Sequence, residues 1–283
     1  MDKLVLQDLR LPLRGGGTLA ATLRRRDDRQ RRPVVVIAHG FKGFKAWGFF
    51  PYLATRLAGA GFVSITFDFA LNGIGEDGES FSRLDLFERN SVGREMADLR
   101  ALLDAVEHGD IAALGAIDGT RLGLMGHSRG AAVALLAAAD DPRPRALVTW
   151  AAVAAWRIVE QHGALWREQG YLEVANSRTG QIMRLGRELY EELALRPAEF
   201  DVPSAVRKLH RPLLLLHAED DDAVPFGDSV LLRDQALASP TRLVLLETGG
   251  HTFGARHPFA GTTEALEQAV AETITWFEAH LNP

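Results

Sequence analysis

Five consecutive residues, Val34-Val35-Val36-Ile37-Ala38, carry no polar side chain. Successive side chains of a strand point to opposite faces, so this run needs apolar cover on both sides. A parallel sheet packed between two layers of helix provides it. The chain then repeats the pattern. Strand-like runs are expected at 62–69, 121–125, 146–149, 212–218 and 242–247. Helical stretches are expected at 50–60, 89–108, 130–139, 227–238 and 263–281. In the second of these, Val92, Met96, Leu99, Leu102, Leu103 and Val106 recur at helical spacing. Two short strands, 4–13 and 18–24, should open the chain around Gly15-Gly16-Gly17. The alternation predicts an α/β fold with a mostly parallel central sheet and helices on both faces.

The rhythm breaks over 153–205. Helical stretches and a polar turn, Asn176-Ser177-Arg178-Thr179-Gly180, replace the alternation there, and Trp156, Trp166, Tyr171, Met183 and Tyr190 supply apolar surface. This stretch is expected to be an inserted lid, with 1–152 and 206–283 forming the core. Arg24–Arg32 carries six arginines and two aspartates and reads as a solvated turn between strands.

Composition narrows the function classes. With no cysteine, a thiol nucleophile, disulfides and thiolate metal sites are excluded. The net charge of −5 gives no reason to expect nucleic acid as a partner. The start lacks the apolar core of a signal peptide, and no uncharged apolar run approaches the about 18 residues of a membrane span, so a cytoplasmic protein is expected.

Gly126-His127-Ser128-Arg129-Gly130 falls between a strand ending at Met125 and a helix beginning near Arg129. A serine on such a sharp turn projects its hydroxyl outward, and glycines flank it because side chains there would collide with neighbouring elements. The following helix presents free N–H groups, so the backbone N–H of Arg129 is a candidate donor to a developing oxyanion. A serine hydroxyl needs a base, and the base needs an orienting carboxylate. Of nine histidines, His251 follows the last strand behind Gly249-Gly250. His257 lies deeper in the connection, and His127 reads as a packing or hydrogen-bonding residue. For the acid, Glu219, Asp220, Asp221 and Asp222 all follow the strand ending near Ala218.

His39-Gly40-Phe41, the serine pentapeptide, the acidic loop and Gly249-Gly250-His251 together resemble the α/β-hydrolase superfamily along nearly the whole chain. The similarity is greatest to bacterial serine esterases and dienelactone-hydrolase-like members, with feruloyl-esterase-like and acylaminoacyl-peptidase-like branches among them. The resemblance implies the chain order Ser, acid, His. It aligns His217-Ala218-Glu219-Asp220-Asp221-Asp222-Ala223-Val224-Pro225 with a segment whose spacing selects Asp221, the other carboxylates then facing solvent or capping the next helix. It also implies that the backbone N–H of Phe41 is the second oxyanion donor. The chain departs from dienelactone hydrolase itself, whose nucleophile is cysteine, and from haloalkane dehalogenases and epoxide hydrolases, which use aspartate.

The resemblance therefore implies hydrolysis of a small-molecule carboxylic ester through an acyl-enzyme on Ser128, with His251 as base and Asp221 as acid. No cofactor and no metal are expected. Acyl-peptide hydrolysis and a non-catalytic binding role are the alternatives. Oligomeric state is open, a homodimer being one arrangement. Lys42 and Lys45 are half of the four lysines in a chain with 32 basic residues, and they flank the donor loop. They either pair with acids such as Glu76 or Asp77, face water, or attract an anionic substrate group. Lys42, Trp156 and Trp166 are thus the candidate substrate-binding residues, although the tryptophans equally suit a lid core.

Overall fold

The computed structural model describes residues 3–13, 17–28, 30–109, 111 and 116–282. The chain opens with β1 (Leu4–Pro12), β2 (Thr18–Arg26), β3 (Arg32–Ala38), α1 (Phe50–Ala60), β4 (Val63–Phe67), α2 (Leu84–Glu88) and α3 (Val92–His108). It continues through β5 (Ile117–His127), α4 (Arg129–Asp140), β6 (Pro144–Trp150), α5 (Arg157–Gln169), β7 (Tyr171–Ala175), β8 (Ile182–Gly186), α6 (Arg187–Tyr190) and α7 (Val202–Arg207). It closes with β9 (Leu213–Ala218), α8 (Gly227–Gln235), β10 (Thr241–Leu246) and α9 (Glu264–Leu281).

Eight strands form one sheet in the order β1-β2-β4-β3-β5-β6-β9-β10. From β4 to β10 every neighbour pair is parallel, while β1 and β2 join antiparallel at one edge. The apolar run in β3 behaves as its composition requires. Val34, Val36 and Ala38 pack into the core on one face with α3 and α4, and Val35 and Ile37 into the core on the other with α1 and α9. All five are essentially without exposed surface. The six apolar residues read from the pattern of α3 are likewise buried. Ser91 caps α3, its Oγ accepting from the N–H of Arg94.

Two expectations change. Arg24–Arg26 belong to β2 rather than to a solvated turn. Alternation along that strand carries Arg24 inward, where it is 7% exposed and donates to Thr66 Oγ1 at 3.3 Å. Arg29, and Arg14–Gly16 with most of the glycine turn before β2, lie outside the described residues. Within the insertion, β7 and β8 form an antiparallel hairpin. Its turn is the polar Asn176–Gly180 segment, closed by Asn176 N–H to the Gln181 carbonyl at 2.8 Å. These strands are only five residues each and pair only with each other among the described residues, so their period-2 signal is short. Among the described residues no helix is long and apolar enough to cross a membrane.

Candidate active site

The site gathers segments that leave the carboxyl ends of parallel strands. β5 ends at His127, α4 starts at Arg129, and Ser128 makes the turn with φ 56° and ψ −123°. A non-glycine residue there costs on the order of 1–3 kcal/mol, which the surroundings must hold. They do so by close packing. A Cβ on Gly130 would fall 2.2 Å from the His39 carbonyl oxygen, and one on Gly126 would fall 2.4 Å from that of Gly130. The same crowding seats the loop after β3 beside the serine, since a Cβ on Gly40 would lie 3.0 Å from Ser128 Cβ.

Ser128 Oγ, His251 and Asp221 form a continuous hydrogen-bonded chain. His251 Nε2 lies 3.0 Å from Ser128 Oγ, and His251 Nδ1 lies 2.9 Å from Asp221 Oδ2. The arrangement assigns the proton to Nδ1, which donates to the carboxylate, and leaves Nε2 to accept the serine hydroxyl. The Asp221 carboxylate is fully buried and also faces His217 Nε2 at 3.2 Å. Its Oδ1 accepts from the N–H groups of Ala223 and Val224, each at 2.9 Å. Burial alone would raise its pKa. Hydrogen bonds from His217, His251 and the Val224 N–H outweigh that and hold it well below the usual carboxylate range.

The neighbouring carboxylates separate by geometry. Glu219 and Asp222 are exposed. Asp220 is exposed as well, yet its Oδ1 accepts from the Gly250 N–H at 2.7 Å and so ties down the loop bearing His251. His127 supports that loop too, through Nε2 to the His251 carbonyl at 2.8 Å. Burial lowers the His127 pKa to about 3, so the ring is neutral and donates. His257 instead accepts from the Gly48 N–H at 3.1 Å and stacks on Trp47.

Arg129 follows the serine in sequence, and Phe41 follows Gly40, the residue packed against Ser128. Among the described residues neither backbone N–H finds an acceptor; for Arg129 this is because the first residue of a helix leaves its own unpaired. Behind them lies a buried ion pair that sequence reasoning missed. Arg129 Nε meets Glu95 Oε2 at 2.8 Å, with side-chain exposures of 9% and 5%. The guanidinium carbon also sits 5.7 Å from the Phe41 ring centroid. Glu95 looks in sequence like any first-turn acid of a helix, so no local signal marks it.

The candidate substrate residues divide. Lys42 is half-buried and donates Nζ to the Ala175 carbonyl at 2.9 Å. Lys45 donates to Thr22 Oγ1 at 2.9 Å and approaches Asp8. Neither lysine pairs with Glu76 or Asp77, because the loop turns both toward β2 and the insertion instead. Trp156 is partly buried and donates Nε1 to the Phe200 carbonyl at 2.8 Å. Trp166 is completely buried against Tyr190, in the same hydrophobic cluster as residues of α3 and α4, which leaves it no surface to offer a ligand in this conformation.

The insertion is clasped to the core by two acids also missed in sequence. Asp228 of α8 accepts from the Ala154 N–H at 2.9 Å and from Arg157 Nη1 at 2.8 Å. Glu192, in the π-helical turn Glu191–Leu195, accepts from Ser91 Oγ at 2.8 Å and from the Gly93 N–H at 2.9 Å, at the N-terminus of α3.

Comparison with known proteins agrees with this architecture. An uncharacterised 31.7 kDa protein from the traX–finO intergenic region of Escherichia coli is 24% identical over 300 residues, covering 93% of this chain and 96% of that protein. The structure of ferulic acid bound to Est1E from Butyrivibrio proteoclasticus superposes with a TM-score of 0.72 at 20% identity, covering 97% of this chain and all of that one. A putative dienelactone hydrolase from Klebsiella pneumoniae superposes with a TM-score of 0.64 at 18% identity, covering 98% of this chain and 99% of that one. Such identities establish a shared fold, that of the α/β-hydrolases. Residues 47–283 match the prolyl oligopeptidase family, and on that extent the chain belongs to this family of α/β-hydrolases.

Proposed function

We propose that this chain is a serine esterase that cleaves small-molecule carboxylic esters through an acyl-enzyme on Ser128. The observation that carries this reading is the hydrogen-bonded run from Ser128 Oγ through His251 to the buried Asp221 carboxylate. In the first step His251 Nε2 takes the Ser128 proton as Oγ attacks the ester carbonyl. Asp221 stabilises the imidazolium that forms and keeps the ring in the useful tautomer. Negative charge growing on the carbonyl oxygen meets the free N–H groups of Phe41 and Arg129. His251 then gives its proton to the leaving alcohol. A water, deprotonated by the same ring, releases the acid.

The insertion serves in this reading as a lid over the carboxyl ends of the strands, with Trp156 on the side open to ligand. Lys42 adds positive charge beside the donor loop. Neutralising it would raise KM for esters bearing a carboxylate and leave neutral esters alone.

The test is p-nitrophenyl acetate hydrolysis together with organophosphonate labelling. Ser128→Ala and His251→Ala should each lose activity by at least about a thousandfold, and Ser128→Ala should lose the label. Equal labelling of Ser128→Ala would overturn the assignment. The family name favours a second reading, cleavage of short blocked peptides. Faster turnover of acyl-aminoacyl anilides than of the matched esters would select it.

A further inference from the structure

The hairpin of β7 and β8 grips the loop that carries one of the two proposed oxyanion donors. Gly40-Phe41-Lys42-Gly43 is a tight turn closed by the Gly43 N–H on the Gly40 carbonyl at 3.0 Å. Lys42 holds φ at 54°, the left-handed region that favours glycine. That backbone conformation is strained for a lysine, and contacts from outside the turn can offset its cost.

The restraint comes from across the chain. Arg178, in the hairpin turn between β7 and β8, donates Nη2 to the Lys42 carbonyl at 2.5 Å. Lys42 answers with Nζ on the Ala175 carbonyl at the end of β7. Gln181 Nε2 adds a bond to the Phe81 carbonyl at 3.0 Å. The Arg178 guanidinium carbon is itself held among three rings, 5.6 Å from Trp47, 5.9 Å from Phe44 and 6.0 Å from Phe81. Rings on several sides fix a planar cation in place and offset part of the desolvation that burial imposes on its charge, which lowers its pKa. Its hydrogen bond then acts on the carbonyl of the strained residue, two peptides beyond the one that bears the Phe41 N–H.

We propose that Arg178 is a positioning residue for the oxyanion site. By holding the Lys42 carbonyl it keeps the four-residue turn in the form that leaves the Phe41 N–H free beside Ser128. Withdrawal of the hairpin would let the turn relax and misplace that donor. The insertion would thus control the reaction through transition-state stabilisation as well as through access. The inference rests on the reading of Phe41 as a donor.

The test uses the full-length protein with two variants. Arg178→Met keeps an apolar stem among the rings and removes the donor, while Arg178→Lys keeps a cation that can donate to the same carbonyl. Hydrogen exchange over residues 40–47, ester kinetics and thermal melting are measured on each. Removing a whole oxyanion donor costs about 10²–10³ in kcat, so displacing one should cost Arg178→Met about 10- to 100-fold. KM should stay within about twofold, because no substrate contact is lost. Exchange over 40–47 should quicken, and Arg178→Lys should recover most of both losses. Unchanged exchange over 40–47 in Arg178→Met, or a rise in KM with kcat preserved, overturns the proposal. If the wild-type chain cleaves no ester, the functional reading fails instead. The exchange rates still decide whether Arg178 holds the turn.

Discussion

Asp228 offers a quantitative test of how the insertion is anchored. The side chain is 3% exposed, and Asp228→Ala removes the acceptor of a buried Ala154 N–H and the partner of Arg157. An orphaned buried donor costs about 1–3 kcal/mol, and a charged acceptor puts this one in the upper half of that range. The Arg157 side chain is 41% exposed. Its freed charge can reach water, so the ion pair itself adds only about 0–1 kcal/mol. The expected loss is therefore about 2–4 kcal/mol, while Asp228→Asn retains one acceptor for the amide and should lose about 1 kcal/mol. Urea denaturation measures both, with an expected midpoint shift for Asp228→Ala of roughly 1 M at an m-value near 3 kcal/mol/M. Equal losses from Ala and Asn, or an Ala shift below about 0.2 M, would refute the division between amide and ion pair.

Asp221→Asn should preserve the fold and lower kcat by about 10⁴, because the amide no longer holds His251 in the accepting tautomer. A loss below about tenfold in ester assays would argue that another carboxylate orients the ring. Gly130→Ala places a methyl 2.2 Å from the His39 carbonyl oxygen, where only backbone movement can relieve it. It should destabilise by about 3 kcal/mol or more and abolish activity, and a soluble variant with wild-type melting would contradict the packing argument. Asp68 is buried, and burial pushes its pKa up to about 6. Its contribution is complete below an unfolded pKa of about 3.9 and disappears as pH rises through about 6. Asp68→Asn should thus gain about 2–3 kcal/mol relative to wild type between pH 4 and pH 7.5. Denaturation at both values reads the difference, and a pH-independent difference would reject it.

Much of the fold is legible in the sequence because its signals are local. The double-faced apolar run of β3, the helical spacing in α3 and the strand–turn–helix context of Ser128 depend on neighbours within a turn or two. The glycines at 126 and 130 mark the elbow because the backbone approach there admits nothing larger. His251 is legible from its place behind two glycines after the last strand. The hairpin in the insertion is not, since two five-residue strands give too few alternations to separate from helix.

The sequence by itself determined the layered parallel sheet, the serine elbow and the small set of histidines and carboxylates able to serve it. Only the tertiary structure decided how they are held. Asp221 and Asp220 are adjacent in the chain, yet the path between β9 and α8 buries one against His251 and His217 and sends the other to the Gly250 amide. Trp166 became part of the hydrophobic core, Arg24 turned inward, and Arg129 found Glu95. Arg178 reached Lys42 across 136 residues of sequence. Propensity and periodicity act over a few residues, whereas these partners meet only because the sheet has already brought its loops to one edge.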